Sequence, residues 1–381
     1  MPVRATARGA ARTPLDADAD VLVCGASFAG LSVARALAGS GARVLVLDRY
    51  EVGERQTSAC AAPTGWLEAL GLGGAVRQTF GELVVHTPRV TRRMALPWTF
   101  STFDYRELCA LLAGQGDFRF ETATVTPPAA APPREAGFLT AVGTDRGSVR
   151  APLVVDALGW RRVLGREQAR PPEALMSRGL EVHPAGTGTD LELWIDPRYA
   201  RSGYGWSFPA RDEVRVGVGS FEPRDHVRRP TERLCADVGR PADGWQGCWI
   251  PHALREAVEG DVAFVGDSAG HCLPLTAEGI RTAFFFGTAL GHGLRAVVGG
   301  RATRAEALAR YRAVHEARRW KFRELKRLQD LVLPANRLGV MGGIVAAAAH
   351  PRVVRWAFEH YLRVAPPPAA APASRPLAAA A

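Results

Sequence analysis

The chain has 381 residues, 47% hydrophobic and 23% charged, enough for one large domain or two intimate ones with a sizeable core. Its net charge of +10 comes almost wholly from arginine, with no nucleic-acid recognition motif beside it, so nucleic acid is not an expected partner. Six cysteines (Cys24, Cys60, Cys109, Cys235, Cys248, Cys272) without CxxC spacing argue against a metal site or a disulfide framework and for a reducing compartment.

Residues 1–18 lack periodicity and read as a disordered lead-in. Asp20–Cys24 reads as a strand, Phe28–Ala38 as a helix and Ala42–Asp48 as a second strand, a βαβ unit that opens a dinucleotide-binding domain. The turn is Gly25-Ala-Ser27-Phe28-Ala29-Gly30, with Ser27 where GxGxxG has its middle glycine. Gly25 suits a tight turn, Gly30 suits close helix–sheet packing, and a pyrophosphate would lie over the helix N-terminus. Asp48 stands where an acid binds a ribose with a free 2′-hydroxyl. A Gly-rich turn without a ligand is the competing reading.

Residues 64–77 and 104–113 read as helices, Phe118–Val125 as a strand, and 137–157 as a hairpin whose second arm ends in Leu153–Asp156. Residues 175–222 carry alternating strand patterns (GLEVHP, LELWID, EVRVGVGSF) and read as an inserted sheet, the natural wall for a substrate. Tyr204, Trp206 and Phe208 share one strand face there, as a substrate wall or as core packing.

Asp261–Gly287 reads as a strand, a Gly266-Asp267 turn, a loop with Pro274 and a helix entered at Gly279-Ile280. An acid at the carboxyl end of such a strand can hold a sugar or ribityl hydroxyl, and the helix start can face an anion. Ala302–Leu333 has no Gly or Pro and one apolar face, and reads as a helix stopped by Pro334. The run Leu338–Ala349 is too short to span a bilayer, no N-terminal stretch reads as a secretory signal, and 365–381 is a Pro/Ala tail. The basic surface fits anionic lipid or diphosphate as readily as plain solvation.

Together these motifs resemble the FAD-dependent oxidoreductases of the aromatic-hydroxylase structural type. GDSAGHCLPLTAEGI and Tyr204-Gly-Trp206-Ser-Phe208-Pro209…Gly217-Val-Gly219 are similar to the GDAAG…P…GEGI and YxWxFP…GxG segments of geranylgeranyl reductases. Ser27, the spacing Asp156…Gly159 and Ala277 depart from the pattern. The resemblance, over about residues 20–290, implies an α/β (α+β) fold: a Rossmann-like FAD-binding domain with an inserted antiparallel β-sheet substrate domain and a C-terminal helical region. The expected divisions are FAD-binding segments at 19–170 and 256–300, the substrate sheet at 171–255, helices at 301–364, and unpacked ends at 1–18 and 365–381.

The resemblance also implies FAD as cofactor, held by Gly25, Ser27, Phe28, Ala29, Gly30, Asp48, Arg49, Arg106, Gly266, Asp267, Pro274, Gly279 and Ile280. Tyr204, Trp206 and Phe208 would bound the substrate, and Cys60 would donate a proton to it. The implied reaction is reduction of C=C bonds in a polyprenyl or other isoprenoid substrate. The alternatives are a monooxygenase acting on a small hydrophobic molecule and a non-redox flavoprotein such as a carotenoid cyclase. Without a second GxGxxG, the electron donor would be external: NAD(P)H, a ferredoxin or a reductase. The expected location is the cytoplasm, with peripheral contact at a membrane surface as a second option.

Overall fold

The structure is a computed structural model describing residues 13–56, 58–128, 140–166 and 170–367. Residues 1–12 of the expected lead-in and 368–381 of the expected tail lie outside the described residues. The helices, in chain order, are α1 (Phe28–Ala36), α2 (Thr64–Ala69), α3 (Tyr105–Gly114), α4 (Arg228–Asp237), α5 (Ile280–Val298), α6 (Arg304–Glu316), α7 (Arg319–Arg337), α8 (Met341–Ala348) and α9 (Pro351–Leu362).

Val21–Cys24 is buried at all four positions, as a strand covered on both faces must be. It lies in a six-stranded sheet in the order Val258–Glu259, Val262–Phe264, Leu153–Asp156, Val21–Cys24, Val44–Asp48, Arg119–Thr122. Every pair is parallel except the first. Val21, Val23, Val44 and Val46 face a core with α1 and α5, while Leu22, Cys24, Leu45 and Leu47 face the opposite way. That second face is covered by a three-stranded sheet, Ala17–Asp18, Gly147–Ala151 and Thr140–Thr144.

Two expectations change here. The lead-in becomes ordered before residue 19: Leu15 is buried in this second core and Ala17–Asp18 pairs with Gly147–Ala151, so apolar burial holds the segment down. The hairpin is Thr140–Thr144 with Gly147–Ala151, and Leu153–Asp156 belongs to the larger sheet. Pro152 separates them, having no N–H with which to continue the ladder.

The second large sheet has eight strands, in the order Gln246–Pro251, Met176–Val182, Val214–Ser220, Gly203–Pro209, Leu191–Trp194, Val76–His86, Thr91–Phe103, Ala61–Pro63. It therefore draws on residues 61–103 as well as on the stretch read as sheet. The helix expected over 64–77 ends at Ala69, and a strand of eleven residues starts at Val76. The sheet is not purely antiparallel, because Leu191–Trp194 runs parallel to Val76–His86.

The single helix expected over Ala302–Leu333 is two, α6 and α7, broken at Ala317-Arg318. Pro334 lies inside the last turn of α7 and does not stop it: the helix runs on to Arg337, although proline has no N–H to offer the Asp330 carbonyl one turn back. α9 packs on Thr91–Phe103, with the Phe358 ring 6.0 Å from Trp98 and 6.1 Å from Phe100. The tail begins packed: Ala365 is buried, and its carbonyl and that of Leu362 each accept a hydrogen bond from Arg281 at 3.0 Å.

Candidate active site

A cavity of about 1310 Å³ lies between the parallel sheet and the eight-stranded sheet. Ligand pockets usually hold ~300–1,000 Å³, so this one has room for a dinucleotide and a second molecule. One pole is lined by Ala26, Ser27, Phe28, Ala29, Asp48 and Arg49, the middle by Cys60, Gly266, Asp267, Gly279 and Ile280, and the other pole by Tyr204, Trp206 and Phe208.

The first pole is built by the turn into α1. Gly25 has φ +114°, and a Cβ there would collide with the Ala157 carbonyl. Gly30 sits behind the wall, where a side chain would strike the Gly25 carbonyl. Ser27 caps α1 without a side-chain bond, and the first turn holds no acid. Its backbone N–H groups therefore face the cavity unspent, a fit for a pyrophosphate. The Ser27 hydroxyl accepts from Tyr105 Oη at 3.1 Å and keeps its own hydrogen to donate. Asp48 accepts the N–H groups of Ala26 (2.8 Å) and Tyr50 (3.0 Å), which fixes its carboxylate at the cavity wall. Burial pushes its pKa up against those bonds.

Asp156, the acid of the Asp156…Gly159 segment, is fully buried behind the cavity. It accepts from the N–H groups of Leu158 (2.9 Å) and Leu164 (2.8 Å) and the hydroxyl of Ser268 (2.7 Å). It ties the loop after its own strand to the Gly266-Asp267 turn.

At that turn Gly266 has φ +65°, and a Cβ would come 2.8 Å from the Cβ of Ala29, so the early and late motifs meet there. The Asp267 carboxylate faces the cavity with no hydrogen-bond partner among the described residues; burial pushes its pKa up to about 6 and Arg255 pulls it back. His271 does not reach the cavity. Its Nδ1 accepts the Gly266 N–H at 3.1 Å, its ring stacks on Phe286 at 3.7 Å, and its Nε2 lies 3.1 Å from His315 Nδ1. Burial lowers the pKa of both histidines and keeps them neutral.

Pro274 is buried and outside the lining, so it shapes the loop from behind. Ala277, at the glycine position of the motif, has φ 50°, the left-handed conformation that glycine favours. Gly279 and Ile280 line the cavity at the start of α5, where the next N–H, that of Arg281, already donates to Glu278 at 3.0 Å. Glu278 also lines the cavity, but is held by Arg281 (2.8 Å) and Tyr361 Oη (2.7 Å). Arg106, the second residue of α3, stands outside the lining.

Cys60 is buried at φ 52°, and its thiol donates to the Ser58 carbonyl at 3.1 Å. Burial pushes the thiol far up, with Arg215 opposing. The Arg215 guanidinium holds this loop through the carbonyls of Ala59 (2.9 Å), Cys60 (3.2 Å) and Phe103 (3.0 Å).

In the aromatic wall the Trp206 indole lies over Gly217, where a Cβ would collide with its ring. Its Nε1–H donates to Glu181 at 3.0 Å. Tyr204 Oη donates to the Thr276 carbonyl at 2.7 Å, joining the wall to the late loop. Sequence reasoning passed over Tyr105, Glu181, Phe358 and Tyr361, all of which line the cavity. Glu181 left a signal, an acid within the strand pattern GLEVHP; Phe358 and Tyr361 left none.

No protein-family model and no curated protein matches the chain. Solved structures do match, at 18%, 19% and 17% identity in three cases. A geranylgeranyl bacteriochlorophyll reductase-like protein from Thermoplasma acidophilum aligns with TM-score 0.69 over 91% of this chain and 99% of its own. PqsL, a probable FAD-dependent monooxygenase from Pseudomonas aeruginosa, aligns with TM-score 0.60 over 90% and 100%. OxyS anhydrotetracycline hydroxylase from Streptomyces rimosus aligns with TM-score 0.63 over 89% and 75%. The chain thus has the fold of FAD-dependent oxidoreductases and monooxygenases. At these identities the likeness extends to fold, and the chemistry rests on the cavity.

Proposed function

We propose that this chain is an FAD-dependent oxidoreductase that reduces C=C bonds of a polyprenyl or related isoprenoid substrate. The observation that carries the reading is the continuity of one cavity from the start of α1, past Asp267 and Cys60, to the wall of Tyr204, Trp206 and Phe208. The α1 N–H groups would hold the pyrophosphate, Asp48 the ribose, Asp267 a hydroxyl, and the start of α5 an anionic edge of the flavin. Reduced FAD supplies a hydride equivalent when bound. Cys60, kept protonated by burial, would give its Sγ proton to the other alkene carbon, so the bond gains two hydrogens. The electron donor would come from outside: NAD(P)H, a ferredoxin or a partner reductase.

A second reading, oxygenation of a small hydrophobic molecule, draws support from Glu181. A buried carboxylate on the cavity wall suits a substrate O–H or N–H better than a hydrocarbon chain. Anaerobic single turnover separates the two. Dithionite-reduced protein is mixed with a polyprenyl substrate and the flavin absorbance followed. Reoxidation without oxygen, with a mass gain of two hydrogens, supports reduction; reoxidation that needs oxygen sinks it in favour of the second reading.

A further inference from the structure

Nine large apolar side chains are exposed among the described residues, and eight of them lie between Trp320 and Trp356. On α7 and its C-terminal end, Trp320, Leu331 and Leu338 follow one another at i, i+11 and i+18, a single stripe of a 3.6-residue helix. The buried residues of α7, among them Phe322, Gln329 and Val332, point the other way. Val353 and Trp356 continue the patch on α9. The two helices meet through His360, whose ring stacks on Trp356 at 5.3 Å and lies 6.3 Å from Trp320.

The charge on this region is lopsided. Residues 319–363 hold nine Arg and Lys against three Asp and Glu, so more than half of the chain's net +10 sits on about an eighth of its length. Exposed tryptophan and leucine ringed by arginine is the composition of a surface that lies in the headgroup layer of an anionic bilayer.

We propose that α7–α9 form a docking face for an anionic lipid surface. Other occupants fit the charge less well. A second copy meeting the same patch across a two-fold axis would set the positive face against itself. Residues 368–381 contain one arginine and no acid, so they offer nothing to a basic face. No helix among the described residues is long and apolar enough to cross a membrane, so the contact is peripheral. The inner sides of the same helices supply Val332, Phe358 and Tyr361 to the cavity wall, which sets the lipid-facing surface one helix thickness from the site. The surface stands whether or not the redox reading does.

The test is co-sedimentation of the full chain with vesicles of equal parts phosphatidylglycerol and phosphatidylcholine, beside vesicles of phosphatidylcholine alone. The protein is expected to pellet with the first and stay in solution with the second. Trp320→Ser with Trp356→Ser should lower the partition coefficient roughly tenfold or more with the circular-dichroism spectrum unchanged. If that pair does not fold, Leu331→Glu with Leu338→Glu replaces it. Wild type that fails to pellet, that pellets equally on both vesicles, or that is matched by the folded variant overturns the proposal. So does a solution dimer that Leu331→Glu splits, or a chain ending at Pro367 that binds vesicles when the full chain does not.

Discussion

Glu181 accepts the indole N–H of Trp206 across strands that are not neighbours, over the backbone of Gly217. The strand between them carries no side chain at the crossing, and that lets the ring lie flat against the sheet. Trp206 therefore has one available plane, set by a carboxylate on one side and a bare backbone beneath.

Gly217→Ala should lift the ring into the cavity. Overpacking of this kind costs ~1–3 kcal/mol and here would also narrow the wall. The expected result is a lower Tm and a KM that rises more for bulky than for slender substrates. Equal KM changes across a substrate size series would refute the role of this wall in selection.

Glu181→Leu removes the acceptor for Trp206 and for His183 Nε2, 3.1 Å away. A buried donor left without a partner costs ~1–3 kcal/mol. Thermal unfolding should show that loss, with bound flavin per chain unchanged because the carboxylate stands at the far pole.

Cys60→Ala should keep FAD and fold but lose turnover, since general acid catalysis contributes about 10²–10⁴-fold. Single-turnover rates against pH decide it. A variant as fast as wild type removes Cys60 from the chemistry.

Asp267 has a folded pKa of about 6, raised above the ordinary 3.8 by burial. Its contribution to stability is full below the unfolded value and is lost as pH rises through the folded one. The flavin-free protein should therefore be stabilised by Asp267→Asn at pH 8, by ~1 kcal/mol after allowance for partial exposure, and not at pH 4. The same variant should bind FAD more weakly. Equal Tm differences at both pH values would show that the carboxylate is not strained.

Ala277→Gly should stabilise the chain, since a left-handed alanine costs ~1–2 kcal/mol and the added glycine entropy returns ~0.4–1 of it. A Tm rise of about one or two degrees is expected. A fall would mean that the loop relies on the methyl group.

What the sequence displays well is what neighbours in sequence create. Gly25, Ser27 and Asp48, or Gly266 and Asp267, carry their geometry in their spacing, and Tyr204, Trp206 and Phe208 share a face by alternation alone. What it hides is made by distant segments. The strands within Ala61–Phe103 join a sheet whose other members begin at Met176, and no local signal announces that pairing. Phe358 and Tyr361 reach the cavity only because α9 crosses Thr91–Phe103. The spacing Asp156…Gly159 does not tell what the acid does: the bonds of its carboxylate all close on the protein itself. Pro334 and Leu15 show the opposite error, where a local rule yields to packing.

Arg281, wholly buried one residue past Ile280, spends its guanidinium on Glu278 and on the carbonyls of Leu362 and Ala365. The start of α5 is thus fastened to a segment translated more than eighty residues later. At ~5–20 residues per second, the Gly25 turn waits roughly twenty to seventy seconds on the ribosome before that acceptor set exists. Newly made chains therefore pass through a stage in which Glu278 alone holds the Arg281 guanidinium and its carbonyl partners are still to come.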